Sequence, residues 1–243
     1  MRIEHPRNRL LVALDVESGE RALALARSLQ DVAGGFKIGS RLFTLEGPSL
    51  VRSLAGTGAR VFLDLKFHDI PNTVAQAVES AVLTGAWMVN VHASGGAAMM
   101  ESARHAATDA ATRAHVASPL LIAVTVLTSM DGATLRDVGV ERPLEDQVIA
   151  LARLTKQAGL DGVVASPLET AAIRAACGPD FVIVTPGIRG ASAGAEKNDQ
   201  SRTLGPAEAI KAGATYIVVG RPIIAANDPR AAAEAIVAEL AAT

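Results

Sequence analysis

The chain has 243 residues, 49% of them hydrophobic and 20% charged, with a formal net charge of -2. That length suits one large domain or two small ones with a sizeable core, and the near-neutral balance argues against general binding to nucleic acid or anionic membranes. The lone Cys177 excludes an intramolecular disulfide and a cysteine-rich metal site, and with no apolar stretch after the charged start Met1-Arg-Ile-Glu-His-Pro-Arg7 and no apolar run of about 18 residues, a cytoplasmic protein without a membrane span is expected.

Apolar, β-favouring runs alternate with Ala/Leu-rich helical patterns along the whole chain. Leu10 to Val16 is the first predicted strand, and Ser18 is placed to cap the helix behind it. Gly34 to Gly39 is the second strand, and Pro48 opens the next helix. Arg60 to Lys66 is the third; Pro71 forbids its continuation and suits the first turn of a helix. Trp87 to Ala93 is the fourth, and Pro119 to Thr128, the longest apolar run, is the fifth. A helix from Leu144 to Ala158 leads to strand six, Gly162 to Ser166. Phe181 to Gly187 and Thr215 to Gly220 are strands seven and eight, and Asp228-Pro229 caps a last helix through Leu240. Eight strand–helix units without a linker predict a (β/α)8 TIM barrel, one domain over residues 1–243. The rival doubly wound sheet is weaker, because no Gly-x-Gly-x-x-Gly follows strand one.

One strand becomes charged where a buried strand should stay apolar: Val61-Phe-Leu-Asp-Leu-Lys-Phe-His-Asp-Ile-Pro-Asn-Thr73. Alternation puts Asp64 and Lys66 on one face and Val61, Leu63 and Leu65 on the other, with Asp69 in the turn beyond. In such barrels chemistry sits at the C-terminal strand ends. Those ends carry Asp15, Lys37, Asp64 with Lys66 and Asp69, Thr128 with Ser129, Pro186 to Arg189, and Gly220-Arg221. The chain has only five lysines, yet Lys37 and Lys66 both lie on strands, where lysine is disfavoured. Taken singly, a snorkelling lysine or a structural ion pair is the competing explanation. Three aspartates at neighbouring strand ends favour one pairing scheme for all five charges. At an effective dielectric of ~20, a pair ~4 Å apart is worth about 4 kcal/mol, enough to count against desolvation. His68 and His92 beside these aspartates suggest a metal, but two ammonium groups already neutralise the carboxylates, so no metal is expected. His92 is expected to be a hydrogen-bonded core histidine and His68 a turn residue.

A separate signal points to an anion. Strand seven ends in Thr185-Pro-Gly-Ile-Arg189 and strand eight in Gly220-Arg221-Pro222, where barrels often bind phosphate with backbone N–H groups and arginine. Between them, residues 190–202 are small and polar and long for a strand–helix connection, a lid or plain disorder. Gln200 is the amide there placed to reach back over a bound anion.

Asp64-Leu-Lys-Phe-His-Asp-Ile-Pro-Asn-Thr73 closely resembles the signature of the orotidine 5'-phosphate decarboxylase family. Leu14-Asp15, Phe36-Lys-Ile-Gly39, Leu127-Thr-Ser129, Val184-Thr-Pro-Gly-Ile-Arg189 and Val219-Gly-Arg-Pro222 fall in the family's order, so the resemblance covers nearly the whole chain. The Asp-x-Lys-x-x-Asp core alone is shared with magnesium-dependent sugar-phosphate lyases and synthases, which carry a glutamate on strand two where this chain has Lys37. The resemblance implies decarboxylation of orotidine 5'-phosphate to UMP, the last step of de novo pyrimidine nucleotide synthesis, without a cofactor. It implies that Lys66 protonates C6, that Asp64 and Lys37 complete the charged network, and that Asp15 and Lys37 hold the ribose hydroxyls. Thr128 and Ser129 should face the base, and Gln200, Gly220 and Arg221 the phosphate, with Pro186 and Arg189 beside it. Asp69 and Thr73 should reach into a partner's site in a homodimer. Two alternatives remain: the magnesium-dependent relatives, and a catalytically silent nucleotide-phosphate binding protein.

Overall fold

A computed structural model describes residues 5–188 and 204–242 of the chain. In order, the elements are β1 (Leu10–Ala13), α1 (Gly19–Leu29), β2 (Gly35–Gly39), α2 (Ser40–Glu46), α3 (Pro48–Ala55), β3 (Val61–Phe67), α4 (Pro71–Val82), β4 (Met88–His92) and α5 (Ala97–Ala114). They continue with β5 (Leu120–Val124), α6 (Gly132–Asp137), α7 (Leu144–Gln157), β6 (Gly162–Val164), α8 (Thr170–Cys177), β7 (Val182–Thr185), α9 (Pro206–Lys211), β8 (Tyr216–Val219), α10 (Arg221–Ile224) and α11 (Pro229–Ala241). Each strand pairs in parallel with its sequence neighbour, and β1 closes on β8 through Leu10↔Ile217 to Val12↔Val219. The result is the (β/α)8 barrel that the alternation predicts.

Local chemistry starts the helices where expected. The Ser18 hydroxyl accepts from the Arg21 N–H at 3.2 Å, and Asp228 Oδ1 accepts from the Ala231 N–H at 3.0 Å. Prolines 48, 71, 206 and 229 stand in first turns, where a missing N–H leaves no bond unmade.

Strand alternation divides the core into two layers. Outward-facing Phe36, Ile38, Leu63, Val89, Val91 and Ile183 pack under the helices, while Leu11, Phe62, Met88, Ile122, Val184 and Tyr216 fill the barrel interior. Interior room is tight enough to demand glycine: a Cβ on Gly162 would lie 2.1 Å from the Val182 carbonyl oxygen. No helix among the described residues is long and apolar enough to cross a membrane.

The predicted fifth strand, Pro119 to Thr128, stops at Val124. Its neighbour β6 has only three residues and pairs last through Val124↔Val164, so nothing continues the ladder. Beyond it, the Met130 N–H donates to the Leu127 carbonyl at 2.9 Å, and Thr128 and Ser129 sit in that turn rather than on a strand.

Candidate active site

The apolar interior gives way to charge at the C-terminal mouth on one side of the barrel. Asp15 follows β1, Lys37 lies on β2, and Asp64 and Lys66 lie on β3, all on the inward parity of Leu11, Gly35 and Phe62. Lys37 Nζ stands 3.3 Å from Asp15 Oδ1 and 3.5 Å from Asp64 Oδ2, and Lys66 Nζ donates to Asp64 Oδ1 at 2.6 Å. Acid, base, acid and base therefore alternate along three strands. Burial raises the Asp64 carboxyl pKa, but Lys37, Lys66 and hydrogen bonds from Lys66 and Asn90 outweigh it and hold the group below the ordinary carboxylate range. Asp64 and Lys37 side chains are each 12% exposed, whereas Lys66 is 35% exposed and faces the mouth.

The pairing scheme for five charges holds for four in this chain. Asp69 lies exposed in the turn after β3, where it accepts from the Ile70 N–H at 2.6 Å, and no ion pair among the described residues includes it.

Simple alternation does not account for the local backbone. Lys66 has φ +53°, a left-handed conformation that non-glycine residues rarely adopt. The β3–β4 register shifts between Leu63 and Phe67, which removes the ladder partner of the Lys66 N–H. That N–H donates instead to Asn90 Oδ1 at 2.8 Å, and Asn90 Nδ2 donates to Asp64 Oδ1 at 2.7 Å. Asn90 is fully buried. Motif reasoning passed over it, although an amide between Val89 and Val91, on the inward parity of Met88, is out of place in an apolar strand.

Two glycines leave room around the first ion pair. A Cβ on Gly39 would stand 3.1 Å from Lys37 Nζ, and one on Gly220 would stand 3.6 Å from Asp15 Oδ2. Closure of β1 on β8 thus sets the predicted anion-binding end of β8 beside the charged network. Gly220 precedes α10 and its carbonyl accepts from the Ile223 and Ile224 N–H groups; Arg221 follows, exposed. Pro186, half-buried, follows β7. Thr128 is half-buried and Ser129 exposed beyond β5, while Thr73 is exposed in the first turn of α4. Arg189 and Gln200 lie outside the described residues.

His92 differs from expectation. It is half-buried at the end of β4 and stacks on His68, with ring centroids 5.4 Å apart and planes tilted by 35°. Its ring makes no hydrogen bond among the described residues, and burial, His68 and Lys66 hold its pKa below the ordinary value, partly offset by Asp64. Among the described residues no three His, Cys, Asp or Glu side chains gather as a metal ion's ligands would. Chemically, the site offers an ammonium group at the mouth, paired with a buried carboxylate, and a second ammonium held between two carboxylates.

The model of the Orotidine 5'-phosphate decarboxylase / HUMPS family matches residues 8–236. The chain belongs to this family. It is 53% identical over 237 residues to an orotidine 5'-phosphate decarboxylase of Moorella thermoacetica, covering 97% of this chain and 93% of the relative. An orotidine 5'-phosphate decarboxylase of Syntrophotalea carbinolica is 54% identical over 236 residues, covering 97% and 96%. The crystal structure of orotidine 5'-phosphate decarboxylase from Lactobacillus acidophilus superposes with a TM-score of 0.84 at 39% identity, covering 95% of this chain and 98% of the other.

Proposed function

We propose that this chain decarboxylates orotidine 5'-phosphate to UMP, the closing step of pyrimidine nucleotide synthesis, with Lys66 as the acid and without a cofactor. Family membership and the names of its relatives support the reaction. The observation that carries the mechanism is Lys66 Nζ at 2.6 Å from a buried carboxylate, on the one network lysine open to the mouth. When the bond from C6 to the carboxylate breaks, its electron pair stays on an sp² carbon as CO2 departs. A fixed ammonium stabilises that developing charge and then transfers its proton to C6; the neutral amine regains a proton from water. Asp64 fixes the ammonium in position and places a second negative charge beside the departing carboxylate.

A cofactor-free route is supported by the donor set. Lys37 and Lys66 already neutralise Asp64, and Lys37 stands on the strand where magnesium-dependent relatives carry an acid. Asp15 and Lys37 are assigned to the ribose hydroxyls, Thr128 and Ser129 to the base. Pro186, Gly220 and Arg221, with Arg189 and Gln200, are assigned to the phosphate, whose binding energy can drive the reaction at a centre it does not touch.

The proposal includes a homodimer in which Asp69 and Thr73 complete the partner's site. Both are exposed in the single chain, and Ile70 between them is 66% exposed. Mixing inactive Lys66→Ala with inactive Asp69→Ala subunits should restore about a quarter of the sites, one intact site per mixed pair. No recovery after subunit exchange would show that each chain works alone.

The deciding experiment follows the orotate chromophore on addition of orotidine 5'-phosphate, with and without EDTA. Absorbance should fall at the same rate in both. Loss of activity with chelator would transfer the chain to the magnesium-dependent side of its family, and UMP binding without turnover would make it a silent binder.

A further inference from the structure

We infer that Asn90 is the positioning residue that sets the backbone and charge partner of Lys66; its effect on turnover rests on the decarboxylase proposal above, its effect on Lys66 does not. Between Leu63 and Phe67 the pairing of β3 with β4 slips, and Lys66 takes φ +53°. A buried backbone N–H without a partner and a left-handed non-glycine residue are both unfavourable, so neither persists unless neighbours hold it. The Asn90 side chain supplies what the ladder lacks. Its carbonyl accepts the Lys66 N–H at 2.8 Å, and its amide donates to Asp64 Oδ1 at 2.7 Å, the same oxygen that receives Lys66 Nζ at 2.6 Å.

One side chain thus ties together the main chain of the proposed acid and the carboxylate paired with its ammonium group. The task needs an acceptor and a donor on one short, rigid group. Leucine offers neither, and an ionised aspartate would offer the acceptor while facing Asp64 with a like charge. Complete burial of Asn90 leaves no water to substitute for either bond. The charged and titratable groups around it are Asp64 and Lys66 on β3, Lys37 on β2, His92 on β4 itself and His68 beyond β3; the inward side chain of β5 beside it, Ile122, is apolar.

The test compares Asn90→Leu and Asn90→Asp with the parent by steady-state kinetics and by amide hydrogen exchange on lysine-labelled protein. Only five lysines occur in the chain, so the Lys66 signal is readily separated. For Asn90→Leu, kcat should fall about 10²-fold while KM changes less than about threefold, because the acid is displaced and the phosphate grip is not. The Lys66 amide should lose protection at least about tenfold while Lys156, in α7, keeps its own. Asn90→Asp keeps the acceptor, so the Lys66 amide should stay protected while kcat at pH 8 falls. Relative to the parent, that loss should shrink toward pH 6, as the introduced carboxyl gains a proton to donate to Asp64. Parent-like kcat together with unchanged Lys66 protection in Asn90→Leu would overturn the inference. Should Asn90→Leu not fold, a pH-independent kcat ratio for Asn90→Asp would do the same. If the parent itself fails to decarboxylate the substrate, the proposed function falls, and the exchange measurement still decides whether Asn90 holds Lys66.

Discussion

At the N-terminal end of the barrel, Trp87 meets Tyr216 edge-on at 5.4 Å, and the Arg60 guanidinium sits 5.3 Å over the indole. At the C-terminal end, inward positions of β2, β3 and β4 carry Lys37, Asp64 and Asn90. Both ends contain cations, but they are satisfied differently. Arg60 remains exposed and lays its planar group on an aromatic face, an arrangement that fills space and exchanges no proton. Lys66 is held to a buried carboxylate, an arrangement whose desolvation is costly and which packing elsewhere must offset. Fully buried Tyr216, Phe62 and Met88 close the barrel below and each contribute roughly 1.5–3 kcal/mol by leaving water. One closed sheet thus keeps its aromatic packing at one end and its charged network at the other.

The sharpest way to break this division is to remove one group from each end. Lys66→Ala should lower kcat by about 10⁴-fold or more while the protein stays folded, because Asp64 keeps Lys37 and Asn90 as partners. Residual turnover near the parent's would remove Lys66 from the chemistry. Tyr216→Ala should do the reverse. A cavity beneath the mouth should cost about 3–5 kcal/mol by chemical denaturation, with kcat per folded molecule changed less than about threefold. A large kcat loss in the folded fraction would mean that the two ends are coupled.

A smaller effect divides the mouth itself. Arg221→Ala should raise KM for orotidine 5'-phosphate by about 10–100-fold, the range of one charge-assisted hydrogen bond, and leave the unphosphorylated nucleoside unaffected. Equal losses on both substrates would place the phosphate elsewhere. The smallest effect concerns His92, whose pKa is held below its ordinary 6.5 by burial, by His68 and by Lys66. The unfolded chain takes up a proton near that value and the folded one resists it, so this contribution is present above pH 6.5 and lost as pH falls below it. Thermal midpoints measured from pH 7.5 to 5.5 should decline with acidification, and less steeply in His92→Asn. Parallel slopes would mean that the stack on His68 does not resist protonation.

Much of this was legible in the letters. Periodicity located all eight strands, prolines and Ser18 and Asp228 marked helix starts, and charged residues in strand two and strand three marked the rim where chemistry gathers. These signals are local, since propensity, alternation and capping act over a few residues. Tertiary structure decided the rest. β6 is too short to carry β5 as far as Thr128, and the turn after β3 leaves Asp69 outside its own network. Nothing near Lys66 in the chain announces a left-handed backbone, and Asn90, 24 positions later, reads as an oddity in an apolar strand. Their connection exists because two strands that could pair in several registers settle with a slip. The N–H freed by that slip must find its acceptor on the neighbouring strand, and only closure of the barrel determines which side chain stands there.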